Sequence, residues 1–224
     1  MLSPKQRFTR IYNLNHWGDP ESVSGCGSSL AMTEDIRREL PQLIRSLGIT
    51  SVLDAPCGDF NWISSVLKEC PDVTYFGVDI VDAVISKNQF ENDSSRYRFW
   101  VADILRDKMP KVDLVIIRDF LIHLSFNDIR LALANLAASG SRYVLITNDR
   151  LHEHNSDIVT DRWRRLNFLI EPFSFPAPMM RLAENDLSLG REMVLWEFED
   201  LKKSSLLTNS NHASHWRRPS SSTV

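Results

Sequence analysis

Three things are scarce in this chain of 224 residues: cysteine, long apolar runs and surplus positive charge. The cysteines are Cys26, Cys57 and Cys70, without CxxC spacing. That set supports neither a disulfide framework nor a zinc site, and it points to a reducing, cytoplasmic setting. No apolar run approaches the roughly 18 residues that cross a bilayer. The first residues, MLSPKQRFTRIYNLNHW, lack the apolar stretch of a secretory signal. Lys and Arg total 26 against 29 Asp and Glu, a net charge of −3, which speaks against a general nucleic-acid binder. No segment repeats.

What is present suits a globular protein. Hydrophobic residues make up 43% and charged residues 25%, enough to bury a core. The length suggests one domain. Residues 1–33 contain the Gly/Ser-rich stretch SVSGCGSSLAMT and read as a leader or lid. In TEDIRRELPQLIRSLGI, Ile36, Leu40, Leu43, Ile44 and Leu47 recur at helical spacing, with Thr33 as expected N-cap, Gly48 as stop and Pro41 as expected kink.

From there apolar runs alternate with helical patterns. Strand character is expected at Ser51–Ala55, Thr74–Asp79, Tyr97–Asp103, Val112–Arg118, Tyr143–Thr147 and Glu192–Phe198. Helices are expected at Asn61–Glu69, Val81–Phe90 and Asn127–Ala138. This alternation predicts an α/β, doubly wound, Rossmann-like sheet over residues 34–201. Residues 148–185 read as irregular. Residues 202–224, Ser-rich and free of acids, read as a disordered basic tail.

In such sheets ligands bind beyond the carboxyl ends of the strands. Each of the first four expected strands closes on an acid: Asp54, Asp79, Asp103 and Asp119. Clustered carboxylates repel one another unless they bind donors. Asp79 suits two ribose hydroxyls. Asp103 suits an adenine amino group or, alternatively, a helix N-cap. Asp54, beside the Gly58 turn, suits an ammonium. Together these describe an adenosine that carries an amino acid.

The runs VLDAPCGDFNW, YFGVDI, FWVADI and VDLVIIRDFLIHL resemble the successive motifs of class I S-adenosylmethionine-dependent methyltransferases. The resemblance spans about Trp17 to Leu201. It is close to a subgroup of small bacterial-type enzymes with SG-x-G-S before the first helix, DAPCGD in the first loop and RD-x-L-x-HL after the fourth strand. It also extends to the segment Asn155-Ser156-Asp157-Ile158 and to Trp163-Arg164-Arg165-Leu166-Asn167. It implies a seven-stranded sheet with an antiparallel last strand, and S-adenosyl-L-methionine as cofactor. The cofactor contacts it implies are Asp54, Pro56, Cys57, Gly58, Asp59, Asp79, Ile80, Asp103, Ile104 and Arg118. Pro56 stands where the broad family has its first glycine. The rival dinucleotide dehydrogenases need G-x-G-x-x-G, and no stretch supplies it.

His123 and Asp119 are the candidate bases, with Asp119 alternatively orienting His123 and Arg118 alternatively pairing with Asp119. Asn148, Asn155, Asp157, Trp163 and Arg164 are candidate substrate contacts. His152, Glu153, His154 and Asp157 lack the spacing of a metal site, and no metal is expected. The expected reaction is O-methylation of a sugar, glycan or other small polar acceptor, without membrane or nucleic-acid partner. N-methylation of an amine and a non-catalytic cofactor-binding module are the alternatives.

Overall fold

The computed structural model describes residues 2–92, 94–184 and 190–203. The chain opens with α1, Pro4–Asn13. There follow α2, Glu34–Ser46; β1, Ser51–Asp54; α3, Ile63–Lys68; β2, Thr74–Asp79; α4, Asp82–Glu91; and β3, Tyr97–Val101. Then come β4, Leu114–Ile117; α5, Phe126–Ala138; β5, Tyr143–Asp149; β6, Met180–Ala183; β7, Arg191–Glu197; and α6, Phe198–Lys202. The seven strands form one sheet in the order β3-β2-β1-β4-β5-β7-β6. β7 runs antiparallel between β5 and β6, and the other neighbouring pairs are parallel.

Strand alternation explains why both faces are covered. On β4, Leu114 and Ile116 face one core while Val115 and Ile117 face the other. β5 and β7 split the same way, with Tyr143, Leu145, Met193 and Leu195 against Val144, Ile146, Val194 and Trp196. The first core is closed by α2 and α3, through Ile36, Leu40, Ile63 and Leu67. The second is closed by α5 and α6, through Ile129, Leu133, Leu136 and Leu201. A sheet buried on both faces favours continuous apolar runs, and these made the strands readable.

Four local expectations change. α2 runs unbroken across Pro41, which is buried within it. Thr33 is the N-cap residue, but its hydroxyl donates backwards to the Ser29 carbonyl at 2.8 Å instead of capping the helix. α1 is an added helix within residues 1–33: Ser3 and Gln6 form a reciprocal capping box, and Pro4 opens the first turn. β6 is an added strand within the stretch read as irregular, and it completes the sheet. The proposed tail lies outside the described residues beyond Lys203. No described helix is long and apolar enough to cross a membrane.

Candidate functional site

A cleft of about 1280 Å³ opens over the carboxyl ends of β1, β2, β3 and β4. Its floor holds Asp54, Pro56, Cys57, Gly58, Asp79, Ile80, Asp103, Ile104 and Arg118, nine of the ten expected cofactor contacts. One wall and the roof come from α1 and the segment after it. Phe8 of α1 packs on Phe120, with ring centroids 6.2 Å apart. Arg7 donates to the Thr160 carbonyl at 2.8 Å and pairs with Asp161 at 3.1 Å.

The tenth expected contact, Asp59, is used differently. Its carboxylate accepts from the Ser22 hydroxyl, the Val23 N–H and the Ser24 hydroxyl at 3.0, 3.0 and 3.2 Å. It therefore fastens the N-terminal segment to the loop after β1. Gly58 permits this close approach: its φ is +51°, and a Cβ there would lie 2.1 Å from Ser24 Oγ. Asn88 of α4 secures the same loop by donating to the Gly58 carbonyl at 2.7 Å.

The two acids at the ends of β1 and β2 are buried without a salt-bridge partner among the described residues. Burial pushes Asp54 up to about 7, against the Tyr75 hydroxyl donating at 2.8 Å and the field of Arg118. Burial pushes Asp79 up to about 6, against the backbone N–H groups of Val81, Gly58 and Ile80. Acids held this way have no salt-bridging cation, and a ligand rich in hydroxyl and ammonium groups would favour their ionised forms. Asp103 is less available. One oxygen accepts from the Leu105 N–H at 3.0 Å and the other pairs with Arg106 at 2.5 Å. It closes a turn, and no helix starts there for it to cap. Cys57 is buried with its thiol pushed up by burial, and its N–H donates to the Val78 carbonyl at 2.8 Å.

Arg118, Asp119, Arg191 and Glu184 form a closed ring of alternating charge along the cleft. Arg118 reaches Glu184 at 2.5 Å and Asp119 at 3.5 Å; Arg191 reaches Glu184 at 2.8 Å and also clasps Asp119. Arg118 lies over the Trp62 ring, 5.4 Å from its centroid. Burial resists ionisation of Asp119, yet the two arginines hold it below the ordinary carboxylate value. A carboxylate so stabilised is a weak base, which argues against Asp119 in that role. It does not orient His123 by a hydrogen bond either. His123 Nδ1 lies 2.9 Å from the Arg162 carbonyl instead. Burial pulls the imidazole below its ordinary value, so it is neutral near pH 7.

The expected substrate contacts divide. Trp163 lines the cleft and is 59% exposed. The other four are structural. Asn148 donates to Glu192 and accepts from the Phe168 N–H. Asn155 donates to the Asn167 and Glu171 carbonyls. Asp157 accepts from the Phe126 N–H at the start of α5. Arg164 donates to the Ser156, Leu121, Ile122 and Leu124 carbonyls. Buried polar side chains commonly tie irregular loops in this way, which in sequence looks the same as a binding motif. The site residues that sequence reasoning missed include Glu184 and Arg191. Glu184 follows the unrecognised β6, and Arg191 opens β7 one residue before the expected strand. No three described His, Cys, Asp or Glu residues are grouped to hold a metal ion.

No protein-family model matches the chain, and no curated protein matches its sequence. Solved structures do match. Human N-acetylserotonin methyltransferase in complex with S-adenosylmethionine aligns with TM-score 0.61 at 13% identity, over 87% of this chain and 59% of that one. Magnesium protoporphyrin IX methyltransferase from Synechocystis PCC 6803, with bound S-adenosylhomocysteine, aligns with TM-score 0.57 at 12% identity, over 86% and 93%. Mitomycin 7-O-methyltransferase aligns with TM-score 0.55 at 13% identity, over 71% and 52%. The chain thus spans little more than half of two of these proteins. It has the Rossmann-like fold of class I S-adenosylmethionine-dependent methyltransferases.

Proposed function

We propose that this chain is an S-adenosylmethionine-dependent methyltransferase that methylates a hydroxyl oxygen of a sugar or other small polar acceptor. The observation that carries the reading is the pair Asp54 and Asp79, buried at adjacent strand ends without a salt bridge to a described residue. Asp79 would accept from ribose hydroxyls and Asp54 from the ammonium of the amino-acid moiety, so the residues present fit the cofactor. The cleft volume of about 1280 Å³ exceeds the roughly 300–1,000 Å³ of a site for one small ligand, which leaves room for an acceptor beside the cofactor. The solved methyltransferases named above support the same chemistry. The three free cysteines suit a reducing compartment such as the cytoplasm.

When bound, S-adenosylmethionine supplies a methyl group made electrophilic by its sulfonium. The work left to the chain is alignment of the acceptor and removal of one proton. A carbonyl oxygen only accepts, so the bond to Arg162 puts the hydrogen on Nδ1 of His123 and leaves the Nε2 lone pair as the base. A neutral imidazole takes the hydroxyl proton as the oxygen attacks.

Calorimetry with S-adenosylhomocysteine and with NAD tests the cofactor assignment. Binding of the first and not the second is expected; no binding of the first sinks the reading. Incubation of a metabolite and glycan extract with methyl-labelled S-adenosylmethionine tests the acceptor. Label recovered only on nitrogen would exclude the oxygen assignment.

A further inference from the structure

The two ends of the cleft differ in charge. At the floor, Asp54 and Asp79 are buried acids that form no salt bridge with a described cation. At the mouth the imbalance reverses. Arg10, Arg162 and Arg165 line the cleft, are exposed, and form no salt bridge with a described acid. The acids on the walls nearer them are mostly matched, Asp161 by Arg7 and Asp119 and Glu184 by Arg118 and Arg191. Asp149 is buried, 3% exposed; burial raises its pKa against the fields of Arg191 and, more weakly, Arg165. The whole chain carries −3, so this basic mouth is a local feature.

Two indoles share the mouth. Trp17 is 38% exposed and Trp163 59%, and both line the cleft. Trp17 packs against the His123 ring with centroids 5.6 Å apart. Arg162 and Trp163 sit on the loop whose carbonyl fixes the His123 tautomer. Exposed indoles offer flat faces for a ring, and guanidiniums outside salt bridges offer forked donors for carboxylate or phosphate.

Resting on the methyltransferase reading, we infer that the acceptor is a small ring compound carrying a carboxylate or phosphate group. Its anion would be held by Arg10, Arg162 and Arg165, its ring would lie against Trp17 or Trp163, and its hydroxyl would face His123. A cationic cofactor would then occupy the acidic end and an anionic acceptor the basic end, so the two reactants sort themselves by charge before any shape-specific contact.

Calorimetry on the full chain saturated with S-adenosylhomocysteine tests this with phenyl phosphate, benzoate and glucose 6-phosphate, each against a neutral counterpart: phenol, benzyl alcohol and glucose. At least one charged probe should bind about tenfold or more tightly than its neutral counterpart, as loss of a charged hydrogen bond implies. The phosphate and carboxylate arms identify the anion, and the phenyl and glucose arms the ring. The triple variant Arg10→Gln, Arg162→Gln, Arg165→Gln should erase that preference while S-adenosylhomocysteine still binds. Trp163→Ala should weaken the ring probes and leave inorganic phosphate unaffected. Equal or absent binding of charged and neutral probes to the loaded protein overturns the inference and leaves the cofactor reading intact. Failure of S-adenosylhomocysteine itself to bind overturns both. An oligothymidylate that binds more tightly than every small probe overturns it in favour of a nucleic-acid acceptor.

Discussion

Nδ1 of His123 donates to the backbone carbonyl of Arg162 across 2.9 Å, and this bond leaves the ring's lone pair on Nε2. The loop that carries Arg162 also carries Trp163, so under the proposed function one segment would set the tautomer of the base and form part of the acceptor wall. Nitrogen-15 spectra of the free protein should show the Nδ1-protonated tautomer, with a pKa below the ordinary histidine value. Once an acceptor is found, His123→Ala and His123→Gln should each lose roughly 10²–10⁴ in turnover while binding S-adenosylhomocysteine normally. The rate should rise with pH through the lowered imidazole pKa and be flat above it. Parental turnover in both variants would remove His123 from the mechanism.

Asp79 carries the ribose assignment. Asp79→Ala should weaken S-adenosylhomocysteine by about 1–3 kcal/mol, the range for charged hydrogen bonds. Calorimetry reads this directly, and unchanged affinity would reject the assignment.

Asp54 and Asp79 are raised from 3.8 to about 7 and about 6. Between those limits the folded, ligand-free protein binds more protons than the unfolded chain. Their contribution to stability is therefore fully present below the unfolded value and is lost as pH rises through about 6 and about 7. A ligand that donates to the carboxylates favours their ionised forms. S-adenosylhomocysteine should accordingly bind more tightly at about pH 8 than at about pH 5.5, with release of protons. Binding heats compared across buffers of different ionisation enthalpy measure the release, which Asp54→Asn should reduce.

The charge ring Arg118–Glu184–Arg191–Asp119 makes a stability prediction. Arg118 is 8% exposed and Glu184 is 2% exposed. Glu184→Gln leaves two guanidiniums to share one carboxylate and should cost about 3–5 kcal/mol in urea denaturation. Adding Arg118→Met should recover part of the loss, because it removes the uncompensated buried charge. Additive losses in the double variant would mean that the ring is not an energetic unit.

Gly58→Ala should destabilise the fold by about 1–3 kcal/mol, because it meets both a left-handed φ and the Ser24 hydroxyl. Ser24→Gly in the same chain should relieve the contact and leave a backbone cost of about 1 kcal/mol. Melting temperatures of the two variants separate these contributions.

The strands and their acids could be read directly because burial on both faces of a parallel sheet demands apolar runs, and because β1 and β2 must end on the rim where ligands bind. Asp54 and Asp79 stand where that logic puts them. α1 also left a trace, in Ser3, Pro4 and Gln6 followed by Phe8, Ile11 and Tyr12, but so short a pattern among polar neighbours is easily passed over. β6 left less: four residues on a sheet edge need no sustained alternation.

Local periodicity reports which side of an element is apolar, and so the amino-acid order was sufficient for six of the seven strands, the two covering layers and the acidic floor of the cleft. It carries no record of which distant side chains meet. Asp119 faces Arg191 across 72 positions, and that contact turned a candidate base into one member of a charge ring. Asn148, Asn155, Asp157 and Arg164 resemble binding residues in order and type, yet each is committed to a backbone or side-chain partner. A polar residue has the same letter whether its hydrogen bonds go to a ligand or to the protein, and only the packed chain determines where they go.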